Sequence, residues 1–298
     1  MDLTERAALV ALFLHRRSGW GALTDEIELR GGAVDLLAED VSESQPSLLA
    51  IPDGPDRAEA ALAEAADAIR GWIDAGLHLV TVLDDEYPAQ LRTIHQRPPF
   101  LFYRGILRAE DADGVAVVGT RKPTERGIHQ VTEVAAGLAR RGVTVVSGLA
   151  AGIDTAAHQA AIRAGGRTVG VVGTGLDQRY PRENARLQDY IAREHLVISQ
   201  FWPDAAPTKK SFPMRNAVMS GYAAATVVIE ANHRSGARMQ ARLALEHGRP
   251  VLLMDTLLEH DWAREYAGRP GTQVVRNSAE VLERLDDILA PTGPLILA

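Results

Sequence analysis

Short apolar runs, most of them rich in valine, alternate with amphipathic segments through most of the chain. The apolar runs that predict buried strands cover residues 115–118, 143–146, 168–173, 196–199, 226–230 and 250–255. Their continuous apolar character is typical of strands that are covered on both faces, as in a parallel sheet. The segments between them carry apolar residues at helical spacing. This alternation predicts an α/β fold with a doubly wound, mostly parallel sheet and right-handed crossovers.

The first strand–helix–strand unit spans residues 115–146. Thr124 follows a proline and is placed to cap a helix, and Gly142 is placed to end it. Asp154 is placed to cap the next helix. In open α/β sheets, ligands bind outside the carboxyl ends of the strands, where backbone N–H groups at helix N-termini face anions.

The pattern divides the chain into three parts. Residues 1–75 predict a small helical domain. One apolar face of its first helix is formed by Leu3, Ala7, Val10 and Leu14. Residues 76–290 predict the α/β domain, which begins with two strands at HLVTVLDD and PPFLFYRG and ends with a strand at TQVV and a helix at Ser278–Leu289. Residues 291–298 form a tail.

Composition narrows the class of protein. The 298 residues are 46% hydrophobic and 24% charged, which fits a globular protein. The absence of cysteine excludes disulfides, thiolate catalysis and cysteine-ligated zinc. The apolar stretch at residues 7–14 is too short to span a bilayer and has the wrong flanking charges for a signal peptide, so we expect a cytoplasmic protein without membrane contact. The net charge of −7 argues against an evenly basic surface but not against a local basic groove.

Two glycine-containing turns fall at the expected ligand edge of the sheet, GTR at 119–121 and SGLAAGID at 147–154. Their backbone N–H groups and the planar guanidinium of Arg121 predict an anion site, with phosphate as the ligand. A structural turn with a solvent-facing Arg121 is the alternative. The pair Ser235–Gly236 begins a later helix with the same geometry.

Five further side chains have both a functional and a structural interpretation. Asp154 and Glu230 are candidates for nucleotide contact, and each is also explained as a helix cap. His158 is interpreted as a packed helix residue rather than a catalyst. Arg238 and Arg242 share one helix face, which suits either a phosphate backbone or ordinary solvent exposure. The chain lacks a G-x-G-x-x-G fingerprint and a Walker A sequence, and no pattern indicates a metal site or a catalytic triad.

The segment TKKSFPMRN at 208–216 is a concentrated basic patch with an aromatic residue inside it. Its cations are Lys209, Lys210 and Arg215, and Phe212 lies between them. Base stacking beside positive charge is how proteins hold single strands of nucleic acid without sequence preference. Together with the glycine turns, the segment therefore predicts contact with a single strand.

Taken together, these motifs resemble the DNA-processing protein A (DprA/Smf) family. The resemblance runs from about Tyr87 to Val251 and follows the family's order: YPAQL with PPFLFYRG, VAVVGTRKPTERG, SGLAAGIDTAAHQAAI, GLDQRYPRENARL, FPMRN with MSG, and IEANHRSGARMQARLALEHGR. It implies an extended Rossmann-like core that binds single-stranded DNA and loads the RecA recombinase during DNA uptake. It also implies a homodimer without enzymatic activity or cofactor.

Carried over by position, the resemblance implies DNA contact at Gly119, Arg121, Ser147, Gly148, Phe212 and Arg215. Charge adds Lys209 and Lys210. The full set predicted to bind DNA or phosphate contains these residues together with Thr120, Lys122, Asn216, Ser235, Gly236 and Arg238.

Three positions depart from the family pattern. Ala151 and Ala217 stand where the family usually has Arg, and Gln200 stands where it usually has Glu. Because each phosphate contact contributes to affinity, the two missing cations predict weaker DNA binding. We also expect no winged-helix domain after Leu289.

Two other functions compete with this interpretation. One is a nucleotide-handling member of the same superfamily, either a sensor of a small nucleotide or a phosphoribohydrolase-like enzyme. The segment IEANHRSGARMQARLALE lacks the Pro-Gly-Gly-x-Gly-Thr loop of the related hydrolases, which argues against the enzyme. The other is a scaffold whose apolar helix faces bind a protein partner.

Overall fold

The computed structural model describes residues 2–15, 19–43, 55–233 and 235–290. The strands in these ranges are β1 (His78–Thr81), β2 (Phe100–Gly105), β3 (Val115–Val118), β4 (Val145–Ser147), β5 (Thr168–Val171), β6 (Leu196–Ser199), β7 (Ala225–Val228), β8 (Val251–Met254) and β9 (Thr272–Val275). The helices are α1 (Leu3–His15), α2 (Trp20–Arg30), α3 (Val34–Glu43), α4 (Pro55–Asp74), α5 (Ala89–Arg92), α6 (Glu125–Arg140), α7 (Ile153–Arg163), α8 (Ala185–Glu194), α9 (Ser211–Tyr222), α10 (Gly236–Glu246), α11 (Asp261–Ala267) and α12 (Ser278–Leu289). The predicted tail at 291–298 lies outside these ranges, and within them no helix is long and apolar enough to cross a lipid bilayer.

The strands of the described ranges form one sheet in the order β1-β2-β6-β5-β4-β3-β7-β8-β9. Neighbours from β6 to β9 in this order pair in parallel. At the other edge, β1 and β2 pair antiparallel with each other, and β2 pairs antiparallel with β6. The predicted doubly wound, mostly parallel α/β fold is confirmed. The run predicted as a strand at 143–146 forms its strand slightly later, at Val145–Ser147.

The order of the strands reverses between β3 and β7. After β3 the chain adds β4, β5 and β6 on one side, and it then returns through α9 to place β7, β8 and β9 on the other side. The connections that leave the carboxyl ends of β3 and β7 therefore diverge. A crevice for a ligand arises at such a point in an open α/β sheet.

Local sequence determines where α6 begins and ends. The Thr124 hydroxyl accepts a hydrogen bond from Gly127 N at 3.1 Å and caps the helix, as predicted. Gly142 follows the helix with a φ of +75°, a conformation that glycine adopts without steric cost. Val115–Val118, the strand before the helix, is buried throughout, as expected for a strand with helices on both faces of its sheet.

The helical N-terminal region packs against the antiparallel end of the sheet. Residues 7–13 of α1 are buried throughout, because the helix lies under α3 and α4 as well as beside the sheet. Leu3 and Leu14 are 39% and 42% exposed, so the predicted apolar face is wrong at both of its ends. The ring of Phe13 packs edge-on against Phe100 of β2, with 5.8 Å between centroids. The boundary between a helical domain and an α/β domain stays a prediction.

A buried carboxylate connects the amino ends of the central strands. Asp111 is fully buried in the turn before β3, and it accepts hydrogen bonds from Arg167 Nε at 2.6 Å and Nη2 at 2.7 Å. It also accepts hydrogen bonds from the hydroxyls of Tyr222 and Thr144, both at 3.0 Å. These partners precede β5, β7 and β4. One carboxylate therefore fixes the amino ends of four strands.

Asp111→Ala is expected to destabilise the protein by about 3–5 kcal/mol, because it leaves the Arg167 guanidinium partly buried without its carboxylate. The midpoint of urea unfolding measures the loss. Asp286→Ala is the control, since Asp286 forms an exposed pair with Arg141 and its removal should cost no more than about 1 kcal/mol. Equal losses in the two variants would contradict the role of Asp111.

Candidate functional site

A cavity of about 460 Å³ opens at the carboxyl ends of β3 and β7, where the strand order reverses. Its walls are the turn at 118–122 after β3, Ala150 and Asp154 from the segment after β4, one face of α9, and the start of α10 with the preceding Asn232. The volume lies within the usual range for ligand pockets, about 300–1,000 Å³. The cavity therefore has both the location and the size of a ligand site in this class of fold.

Most of the residues predicted from the sequence meet at this cavity. Those that line it are Gly119, Thr120, Arg121, Lys122, Asp154, Phe212, Arg215, Asn216, Ser235 and Gly236. Gly148 lines a smaller cavity next to it. The predicted residues that line neither cavity are Ser147, Lys209, Lys210, Glu230 and Arg238.

The turn after β3 is held by the loops on both sides of it. Thr120 N donates a hydrogen bond to Glu230 O at 2.6 Å, and Ile153 N donates to Thr120 O at 3.1 Å. A Cβ at Gly119 would lie 2.5 Å from Ile153 Cγ1 and 2.9 Å from Glu230 O. Only glycine therefore fits between the two loops, and the backbone of the turn has a fixed position at the cavity.

Three side chains group at the rim of the cavity, where Arg121 and Tyr180 are exposed and Phe212 is half-buried; we call this group the aromatic ridge. The Arg121 guanidinium carbon lies 5.8 Å from the centroid of the Phe212 ring, a distance at which a cation and an aromatic face attract each other. The Tyr180 ring lies 5.7 Å from Phe212 and is 39% exposed. Sequence reasoning missed Tyr180 because no spacing along the chain relates it to Phe212.

Arg215 lies largely beneath the surface of the site. It is 6% exposed, and its Nη1 donates hydrogen bonds to Gly148 O at 2.6 Å and to Val171 O at 2.9 Å. A Cβ at Gly148 would overlap this guanidinium, so glycine is required where the arginine passes. Arg215 therefore ties the loop after β4 to the end of β5. Direct DNA contact by Arg215 stays a prediction.

Asp154 does not cap α7. The helix begins at Ile153 with Gly152 as its N-cap, and the Asp154 carboxylate accepts a hydrogen bond from Ala150 N at 3.3 Å. The predicted cap is wrong because the carboxylate accepts its hydrogen bond from the turn before the helix and not from the first turn of α7. Burial raises the pKa of Asp154, and the nearby Arg215 guanidinium offsets part of that rise.

Three other predicted residues form hydrogen bonds within the protein near the carboxyl ends of the strands. The Glu230 carboxylate accepts hydrogen bonds from Thr124 N and Oγ1, both at 3.0 Å, and so supports the cap of α6. Ser147 is buried, and its hydroxyl donates to a backbone carbonyl of β3 at 2.7 Å. The Ser235 hydroxyl accepts from Ala237 N at 3.2 Å and caps α10. Ligand contact by these three residues stays a prediction.

The remaining predicted cations lie beside the cavity rather than in its wall. Lys209 and Lys210 are exposed immediately before α9, three and two residues before Phe212. Arg238 is half-buried in α10, and Arg242 pairs with Glu246 at 2.6 Å. The two lysines therefore extend the positive charge from the cavity along the start of α9.

The positions that depart from the family pattern fall in two different places. Ala151 lines the smaller cavity, which has a volume of about 150 Å³. Gln200 and Ala217 line a separate cavity of about 310 Å³, together with Met214 and Met239. The two positions at which the family usually has a cation therefore do not share one pocket.

His158 is a packed residue of α7. It is fully buried, and its Nδ1 lies 2.6 Å from the Thr168 hydroxyl. Burial lowers its pKa to about 3, so it is neutral near pH 7. In the part of the chain that the structure describes, no three acidic or histidine side chains are grouped to hold a metal ion.

The chain is a Rossmann-like α/β protein with a cavity where the strand order reverses, which is the usual position of a ligand site in this class of fold. Residues 78–292 match the family model described as DNA recombination-mediator protein A, which covers well over half of the chain. The chain therefore belongs to this family, and the resemblance to the DprA/Smf proteins is confirmed.

Curated relatives carry the names of this family. DNA processing protein DprA of Streptococcus pneumoniae is 46% identical over 171 residues, which cover 57% of this chain and 60% of that protein. DprA of Bacillus subtilis is 35% identical over 221 residues, covering 74% and 73%. Protein Smf of Escherichia coli is 35% identical over 218 residues, covering 72% and 58%. The matched part thus spans less than two thirds of the S. pneumoniae and E. coli proteins.

Solved structures show the same relationship. The X-ray structure of DprA from S. pneumoniae has a TM-score of 0.71 at 32% identity and covers 95% of this chain and 98% of that chain. DNA processing protein A from Helicobacter pylori, described for its single-stranded DNA binding mode, has a TM-score of 0.62 at 26% identity and covers 70% and 96%. Both likenesses confirm the fold.

Arg215→Met is expected to destabilise the protein by about 3–5 kcal/mol near pH 8, because it leaves the Asp154 carboxylate buried without a cation. The loss should shrink near pH 5. A carboxyl whose folded-state pKa is raised favours the folded protein while it is protonated, and this advantage disappears as the pH rises through that pKa. Urea unfolding at both pH values measures the difference between variant and wild type. Adding Asp154→Asn should abolish the pH dependence, and a loss that is the same at both pH values would contradict the electrostatic interaction between Arg215 and Asp154.

Proposed function

We propose that the protein binds single-stranded DNA, without enzymatic activity, at the cavity between β3 and β7. The observation that carries the proposal is the placement of Arg121, exposed beside Lys122 and over the Phe212 ring, at a cavity of ligand size. Cations neutralise the sugar–phosphate backbone of a single strand, and aromatic rings stack on its bases whatever their sequence.

The charge around the cavity favours an anionic ligand. Among the described residues that line it, Asp154 is the only acidic one, and that carboxylate is buried beside Arg215. The net charge of −7 belongs to the whole chain. Exposed charges farther away than about 10 Å are largely screened at physiological salt. The cations around the cavity therefore determine the electrostatic potential that a bound strand experiences.

The relatives support the same proposal. The H. pylori protein, which shares the fold, is described with a single-stranded DNA binding mode, and the S. pneumoniae and B. subtilis relatives are named DNA processing proteins. From the family resemblance we also propose that the protein acts in DNA uptake, delivers its strand to the RecA recombinase, and works as a homodimer.

A small nucleotide is the second candidate ligand, and the volume of the cavity favours it. About 460 Å³ is enough for a small molecule whose phosphate would face Arg121 and the first turn of α10. Cleavage of that nucleotide is less well supported, since the Glu230 carboxylate is bonded to Thr124 and Asp154 is buried.

Arg121→Ala is expected to weaken binding and to flatten its dependence on salt. Each phosphate contact to a single strand contributes about 0.7 to the slope of log affinity against log salt concentration, so the loss of one contact should reduce the slope by about that amount. Fluorescence anisotropy measures the slope, with a labelled oligothymidylate of about 16 nucleotides titrated between about 50 and 200 mM salt.

Arg163→Ala is the matched control. Arg163 is an exposed arginine in the last turn of α7, which ends at the opposite edge of the sheet from the cavity. Its removal should leave the affinity and the slope unchanged. Absent or salt-independent binding by the wild type would overturn the proposal, as would an equal effect of both substitutions.

Mononucleotides distinguish the two candidate ligands. A ligand that binds only the folded state raises the apparent stability by mass action, which a thermal shift measures. Stabilisation by a mononucleotide, with no binding of the oligonucleotide, would favour the nucleotide sensor over the DNA-binding protein.

A further inference from the structure

A third cavity is lined by α9, α10 and the segments that follow α5 and β6, and its volume is about 310 Å³. We call it the methionine cavity, because Met214 and Met239 both line it. It shares no lining residue with the two cavities described above, and none of the residues predicted to bind DNA or phosphate lines it. Its volume lies at the lower end of the range for ligand pockets, about 300–1,000 Å³. The methionine cavity is therefore a candidate site for a second, smaller ligand.

The walls of the methionine cavity are mainly apolar. Pro213, Met214 and Ala217 come from α9, and Met239 and Leu243 come from α10. Met214 is 46% exposed, so apolar surface at the cavity is open to water. Methionine side chains are flexible and polarisable, and they adapt to the shape of an apolar partner. A ligand that covers these side chains removes apolar surface from water, which favours binding.

One polar side chain of the cavity lacks a partner. Gln200 is 8% exposed, and its Nε2 is buried without a hydrogen-bond partner in the part of the chain that the structure describes. Such a buried donor is unfavourable, because it has lost its hydrogen bonds to water. The terminal torsion of a glutamine side chain is soft, so the amide can turn toward an acceptor in the cavity. Gln200 therefore favours a ligand that carries a hydrogen-bond acceptor.

The charge of the cavity favours a negatively charged acceptor. Arg242 is the only charged side chain among the described residues that line it, and Gln96 is exposed and uncharged. Arg242 Nη1 donates to Glu246 Oε1 at 2.6 Å, which leaves Nε and Nη2 without a partner among the described residues. The Glu246 carboxylate does not line the cavity. A guanidinium and a carboxylate form charge-assisted hydrogen bonds, which are about twice as strong as neutral ones.

We infer that the methionine cavity binds an apolar molecule that ends in a carboxylate. The apolar part packs against Met214 and Met239, and the carboxylate accepts hydrogen bonds from Gln200 and Arg242. A free aliphatic acid has this chemistry, and so does the last residue of a peptide that ends in an apolar amino acid. The inference does not depend on the ligand of the larger cavity, so it is tested separately from the proposed function.

Isotope-labelled methionine methyl groups locate the ligand by NMR. The chain contains five methionines, and two of them line the methionine cavity. Met219 lines the larger cavity, and Met254 is fully buried in β8. Octanoate added to the full-length protein should shift the methyl signals of Met214 and Met239 and leave those of Met219 and Met254 unchanged. For a ligand of this size we expect a dissociation constant on the order of 1 mM. Unchanged Met214 and Met239 signals at about 10 mM octanoate would overturn the inference.

Two analogues with the same apolar chain test the carboxylate. Octanol should bind about tenfold more weakly than octanoate, because it offers only neutral hydrogen bonds. Octylamine should leave the signals of Met214 and Met239 unchanged, since its ammonium group accepts no hydrogen bond and is repelled by Arg242. Equal affinity for octylamine and octanoate would contradict the inference.

Two substitutions test the cavity itself. Ala217→Leu fills the space and should abolish the shift of Met239. Gln200→Leu keeps a similar side-chain volume and removes the donor, so it should weaken octanoate binding about tenfold. Gln159→Leu is the control, because Gln159 is exposed on α7 and does not line the cavity. Wild-type affinity for octanoate in both cavity variants would overturn the inference.

Arg242→Gln separates the effect of charge from that of apolar contact. It should weaken octanoate binding and leave octanol binding unchanged, because only the carboxylate interacts with the charge. Arg269→Gln is the control, since Arg269 pairs with Glu265 in the same i,i+4 arrangement but does not line the cavity. Equal losses for octanoate and octanol in Arg242→Gln would contradict the role of the charge.

N-Acetyl-leucine distinguishes the two sources of the ligand, because it carries the apolar side chain and the carboxylate of a peptide's last residue. Tighter binding of N-acetyl-leucine than of octanoate would assign the cavity to a peptide C-terminus. Tighter binding of octanoate would assign it to a free aliphatic acid. Failure of both compounds to shift the signals of Met214 and Met239 would overturn the inference and leave the proposed function intact.

Discussion

The reversal of strand order between β3 and β7 is the constraint on which the site depends. The connections after these two strands leave in different directions, and the sheet therefore has an open crevice at their carboxyl ends. The turn after β3 is not free to fill this crevice, because Thr120 is hydrogen-bonded to the loop after β7 on one side and to the start of α7 on the other. The sheet thus determines both the cavity and the position of the cation beside it.

A different buried charge interacts with the protein at each end of the parallel strands. At the amino ends, the carboxylate of Asp111 gathers donors from three elements. At the carboxyl ends, the guanidinium of Arg215 gathers backbone carbonyls beside Asp154. A buried charge is tolerated only when such partners replace the water that it has lost. Because Arg215 is engaged in this way, Arg121 is the arginine of the cavity that remains exposed to a ligand.

An acidic chain presents a locally basic, partly aromatic surface. The cations of this surface come from the turn after β3 and from the segment before α9, and the rings come from α9 and from the loop after β5. Two adjoining cavities open on this surface, and Arg121, Phe212 and Arg215 line both of them.

The sequence by itself determined the order and type of the elements of the α/β region, the cap of α6 at Thr124, the family, and the turns that meet at the cavity. These features depend on periodicity, on capping residues and on motif spacing, all of which are local along the chain. Only the tertiary structure decided that Tyr180 stands beside Phe212, that Arg215 is buried, and that the Asp154 carboxylate accepts a hydrogen bond from the turn before its helix. Each of these depends on contacts between segments far apart in sequence, and the pattern of neighbouring residues carries no information about such contacts.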